Sequence, residues 1–98
     1  MLGQVLKSIR TAQDKKVKEV ADDLGSTSSL VCDIENGRKN VTINMLSRFS
    51  QIYQVPASKI LEWDEKAKRD NLSYPEILLF CVQYECKKLK NQEINIDL

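Results

Sequence analysis

Val17, Val20, Ala21 and Leu24 fall at i, i+3, i+4 and i+7, and Gly25 and the polar run Ser26-Thr27-Ser28-Ser29 follow at once. That order leaves a chain few options. The four side chains line one stripe of a two-turn helix. Gly25 stands just past the last of them, where a left-handed backbone is cheap only for glycine. The hydroxyl cluster offers several N-caps to a second short helix carrying Leu30, Val31 and Ile34. Asn36-Gly37 stops that helix, and Arg38-Lys39-Asn40 follows as a basic loop. The spacing predicts two short helices joined by a tight turn. Ala21 is small enough to let them approach, and Val31 and Ile34 hold the second against the first.

The flanking sequence is helical too. Leu2, Val5, Leu6, Ile9 and Ala12 sit at helical spacing. Thr42 caps a helix with Leu46, Phe49, Ile52 and Tyr53 inside, and Pro56 starts a short one over Ala57 to Leu61. Residues 63–73 are charged and weakly periodic and read as a connector. The pattern resumes at Ser73 as cap, Pro75 and Glu76 in the first turn, and Lys87, Lys88 and Lys90 near the end, for a longer helix over about 74–90. The tail from Gln92 to Leu98 reads as loose. The expected fold is all-α: five short helices over residues 1–62, then one longer C-terminal helix within 63–98.

Composition removes several function classes. At 98 residues the chain is one domain, long enough to hold a core without disulfides or metal. There is no histidine, so the commonest general base and metal ligand are missing, and no glycine-rich phosphate loop or nucleophile–base pair is present. The reading is not an enzyme, with no cofactor and no metal. Cys32, Cys81 and Cys86 form an odd set without a Cys-x-x-Cys pair. Cys81 and Cys86 are expected as small buried hydrophobes. The longest apolar run, Ile77 to Val82, is far short of the ~20 residues of a membrane helix, and no leader is visible after Met1, so a cytoplasmic chain with no membrane partner is expected. Net charge is only +1, so the whole chain advertises no affinity for nucleic acid.

The stretch from Val17 to Asn36, with Leu6-Lys7-x-x-Arg10 before it and Ile34-Glu35-Asn36-Gly37-Arg38 after it, resembles the Cro/CI-type (XRE) helix-turn-helix domain. Val55-Pro56-Ala57-x-x-Ile60-Leu61 is similar to that family's last helix. Lys18-Glu19-Val20-Ala21 and Val41 to Phe49 also resemble the amino-terminal domains of Rgg-like regulators. The likeness covers about residues 2–62. It implies a sequence-specific regulator of transcription, of repressor type, binding double-stranded DNA as a homodimer by occupying an operator.

The family geometry places the second helix of the motif in the major groove. It implies base contacts from Ser28, Ser29, Leu30 and Asp33, by hydrogen bonds, by a thymine methyl contact and by acceptance from cytosine N4. Phosphate contacts are implied for Lys16, Lys18, Thr27, Asn36, Arg38, Lys39 and Asn40. Arg10 and Glu35 stand where family members pair a first-helix arginine with a glutamate late in the recognition helix, which implies a structural ion pair. On the last helix Ile77, Leu78, Phe80, Cys81, Val82 and Leu89 are expected to pack on the bundle or on a twin, with a protein partner as a further use of that surface. The alternative reading is a protein-interaction module on the same fold, of antirepressor or antitoxin type. The near-neutral charge and the acids Asp33 and Glu35 in a helix without Arg, Lys or Gln favour it.

Overall fold

Two threonines set where two helices begin. Thr27 Oγ1 accepts from the Leu30 amide at 3.2 Å, and Thr42 Oγ1 accepts from the Met45 amide at 3.2 Å. Each cap satisfies one of the amides a helix start leaves open, worth about 1 kcal/mol. Gly25 ends the preceding helix at φ 69°, the left-handed geometry its position demands.

The computed structural model describes the backbone of residues 2–97 and the side chains of 2–88. Its described residues form six helices and no strand: α1 (Leu2–Ala12), α2 (Val17–Leu24), α3 (Ser28–Glu35), α4 (Ile43–Tyr53), α5 (Ala57–Asp70) and α6 (Tyr74–Asp97). The all-α expectation holds. The core is built from Val5, Leu6 and Ile9 of α1, Val20, Ala21 and Leu24 of α2, and Val31 and Ile34 of α3. Phe49 and Tyr53 of α4, Val55, and Ile60, Trp63 and Ala67 of α5 extend it, and Ile77 and Cys81 of α6 close it, with the Phe49 and Tyr53 rings stacked at 5.9 Å. Leu46 and Ile52, expected inside, are partly buried against this cluster.

The expected connector over 63–73 is mostly helix. α5 runs on to Asp70, and Trp63, Asp64 and Ala67 are buried with Ile60 in a stripe at i, i+3, i+4 and i+7. An acid and an alanine in that stripe disguised it as weakly periodic. Asp64 is held at the stripe's edge by Lys68 at 3.2 Å. The helix stops at Asn71, which takes φ 51°. α6 also extends past the expected end near residue 90, with helical backbone to Asp97.

α6 lies along α1, and over its described side chains, up to Lys88, one side is covered. Ile77 and Cys81 are buried, and Leu78 and Phe80 are partly so. Leu79 is 55% and Val82 39% exposed, so within one chain the apolar run is not buried all round. Cys86, expected inside, is exposed, because its position lies on the side of the helix opposite Ile77. The side chain of Leu89 lies outside the described residues.

α1 in turn crosses the end of α3 at Gly3, where a Cβ would collide with the Ile34 carbonyl oxygen and sit 3.0 Å from that of Glu35. Those are backbone atoms of a packed helix and do not yield cheaply. Gly3→Ala is expected to lose about 1–3 kcal/mol of stability through this overpacking, read as a lower midpoint in urea unfolding.

Candidate nucleic-acid interface

The recognition candidate is α3, and its two sides are sharply different. Val31 and Ile34 are buried and Leu30 is half-buried against the core, which sets the side of the helix that faces inward. The outward side then carries Ser28, Ser29, Cys32, Asp33 and Asn36. Ser28 and Ser29 are open to solvent at the first turn. Leu30, expected to touch a base, is half-buried: it packs against the core and keeps part of its side chain open to solvent. Thr27, expected at phosphate, accepts the Leu30 amide, and its hydroxyl proton remains able to donate to an incoming oxygen.

What holds α3 is a single guanidinium. Arg10 Nε donates to Glu35 Oε2 at 2.8 Å and Arg10 Nη2 to Glu35 Oε1 at 3.1 Å, a two-pronged fork. The third arm, Nη1, donates to the Lys15 carbonyl at 2.9 Å. One side chain thus ties α1, the loop before α2 and the end of α3. The pair is nearly closed off from water, with side-chain exposures of 14% and 6%. The hydrogen bond to Glu35 outweighs the opposing effect of burial and raises the arginine pKa above its ordinary value. Glu35 therefore faces Arg10 and not the outward side of α3.

The loop after α3 bends sharply. Gly37 takes φ 77°, and the Arg38 and Lys39 amides both donate to the Asp33 carbonyl, at 2.8 and 3.2 Å. This throws the side chains of Arg38, Lys39 and Asn40 out into solvent. Arg38 Nη1 reaches Asp33 Oδ1 at 3.5 Å, but both groups are well exposed. Such a contact is worth ~0–1 kcal/mol, so an arriving phosphate displaces it readily. Beyond the loop, the amides of Ile43 and Asn44 at the start of α4 have no acceptor among the described residues. Open helix-start amides with exposed side chains around them suit a backbone oxygen. Lys16 and Lys18, at the start of α2, are exposed as well. The Lys16 amide is held by Glu19 at 3.4 Å.

This arrangement is a short helix whose outer face is polar and carries one acid, Asp33, beside a cationic loop and an open helix start. The profile of the family described as "Helix-turn-helix domain" matches residues 1–63. The chain belongs to the XRE-type helix-turn-helix family. Among its relatives is "Transcriptional regulator ClgR" of two Mycobacterium tuberculosis strains, CDC 1551 / Oshkosh and ATCC 25618 / H37Rv. Each is 31% identical over 61 residues, 62% of this chain and 54% of the relative. The chain thus spans about half the length of those regulators. No solved structure matches it significantly.

Within this helix-turn-helix domain the sequence reading missed three exposed groups. Asn44 follows the Thr42 cap by two positions, which by itself marks it as a first-turn residue. Ile43 is 87% exposed beside the basic loop. Arg48 sends its guanidinium to the Gly25 turn, with Nη2 3.8 Å from where a Cβ would stand. Nothing in local spacing announces that reach, because it depends on how α4 crosses α2.

Arg10→Ala removes one partner of a desolvated pair and strands the other. It is expected to cost about 3–5 kcal/mol in a denaturation titration, and Arg10→Ala combined with Glu35→Leu to recover most of it.

Proposed function

We propose that this chain is a sequence-specific DNA-binding regulator of transcription, a cytoplasmic repressor without catalytic activity that occupies its operator as a dimer. The observation that carries the reading is the pairing of a free outer face on α3 with an exposed cationic loop at its end. The family membership and the regulators it resembles support the same reading. In this reading α3 enters the major groove, with Ser28, Ser29 and Asp33 at base edges. Thr27, Lys16, Lys18, Asn36, Arg38, Lys39 and Asn40 grip the phosphates, and residues 63–98 serve packing and self-association.

The chemistry sets the character of that binding. The outer face of α3 has no arginine, lysine or glutamine, so it lacks the side chains that give ~1–3 kcal/mol of discrimination per bidentate base contact. Affinity comes mainly from the phosphate contacts, and discrimination is shared between short hydroxyl contacts, DNA shape and the doubling of half-sites in a dimer.

A gel shift against the DNA upstream of the chain's own gene, at two salt concentrations, tests this. Binding should weaken steeply with salt, with a slope of about −0.9 per phosphate neutralised. Arg38→Ala with Lys39→Ala should lower affinity alike for every sequence and make the slope shallower by about 2. The absence of a specific shift at any salt would favour the protein-interaction alternative.

Ser29→Ala, by contrast, is expected to alter preference at one base step of a randomised site while leaving the salt slope unchanged. An unchanged preference would remove Ser29 from the base-reading set.

A further inference from the structure

α6 carries two apolar lines, and only one is used inside the chain. The inner line is Ile77, Cys81 and Tyr84, whose ring meets Trp63 edge-on at 5.4 Å, and it ends at Lys88 Nζ donating to the Gln54 carbonyl at 3.1 Å. The outer line is Leu79, Val82 and Cys86, all exposed. Its steps are three, then four. In the sequence the same steps continue through Leu89, Glu93 and Ile96, giving 3-4-3-4-3 without a break. That mean spacing of 3.5 belongs to a helix wrapped on a second helix, since a straight helix against a globular core follows 3.6. After Lys88 the positions that continue the inner line are the polar Asn91 and Asn95, whereas the outer line continues with Leu89 and Ile96 and is interrupted once, by Glu93.

We infer that two copies of this chain pair through the outer face of α6 as a short parallel coiled coil, with Leu79, Val82 and Cys86 in its seam. The occupant is a twin because a seam of this kind is complementary to itself about a two-fold axis. Charge sets the direction. Glu85 and Lys90 flank the seam on opposite sides, five positions apart. In a parallel pair each Glu85 stands across from Lys90 of the other copy, an attractive match at both edges. Within the chain Glu85 accepts from Gln13 at 3.0 Å on one oxygen and lies 3.7 Å from Lys88 Nζ on the other, and the lone pairs left over can accept from a further cation. The parallel register sets Cys86 face to face with its own counterpart, whereas an antiparallel one sets it against Val82 or Leu89. The inference gives the dimer of the proposed regulator its surface and direction, and it rests on that reading for its purpose only.

Cysteine chemistry tests it on the full chain. In a Cys32→Ser background Cys86 is the one exposed thiol among the described residues. Cys81 is buried, and burial pushes its thiol pKa up to about 12, so it stays unreactive near neutral pH. Mild oxidation with diamide should yield a disulfide-linked dimer of twice 11.3 kDa on a non-reducing gel. That link needs Cα atoms about 4.4–6.8 Å apart, as a parallel seam supplies. Moving the thiol off the seam, with Lys87→Cys in a chain also carrying Cys86→Ser, should abolish the band.

Independently, Leu79→Glu with Val82→Glu should halve the mass seen by sedimentation equilibrium while leaving helical circular dichroism intact, because both residues are exposed in the single chain. A wild-type chain that sediments as a monomer at high micromolar concentration, or links as readily through residue 87 as through 86, overturns the inference. A monomer that still shifts operator DNA with a steep salt slope would sink the coil and spare the regulator. A Cys86-linked dimer that shifts no DNA would do the reverse.

Discussion

The arrangement of α3 depends on one forked ion pair. Arg10 grips both oxygens of Glu35 and the Lys15 carbonyl at once, so the first helix, the loop that follows it and the last turn of α3 share one anchor. An eight-residue helix is too short to be stable alone, and its direction must come from what it packs on. Val31 and Ile34 supply the packing, but apolar contacts are non-directional and would tolerate some roll. The fork does not, because its two prongs lie in one plane. Gly3 allows it by letting α1 come within backbone contact of the Ile34 and Glu35 carbonyls.

That anchor also decides how charge is presented. A chain of net charge +1 has no long-range pull on DNA. Locally the balance differs, since Glu35 is neutralised inside the fold while Arg38 and Lys39 project from a loop whose amides are tied back to Asp33. The acid that looked most hostile to a phosphate is thus removed from the surface, and the cations are collected at one end of α3. The remaining exposed acid, Asp33, leans on Arg38 at 3.5 Å and moderates the patch without cancelling it.

Much of this was legible from spacing. The stripe from Val17 to Leu24, the glycine after it and the threonine before α3 and α4 are local signals, and each marks a helix boundary close to where one occurs. The misreadings share one cause. Residues 63–70 hide a helical stripe because Asp64 and Ala67 occupy positions where a pattern reader seeks Leu or Ile, and their burial depends on α5 packing on α1. Cys86 lies on the exposed side against the expectation of burial, since a residue's side is fixed by the roll of its helix against distant neighbours and not by its own apolarity.

The amino-acid order alone therefore determined that the chain is helical, where most of its helices begin, and which family it belongs to, because caps, turns and 3.6-residue periodicity act over a few neighbouring residues. Only the tertiary structure decided which face of α3 is offered outward, that Arg48 reaches the Gly25 turn, and that α6 leaves Leu79 and Val82 uncovered. Those outcomes arise from contacts such as Arg10 with Glu35, 25 residues apart, and Gln13 with Glu85, 72 apart. A local pattern names the groups able to make such contacts, but the partner each one meets is set by the packing of the whole chain.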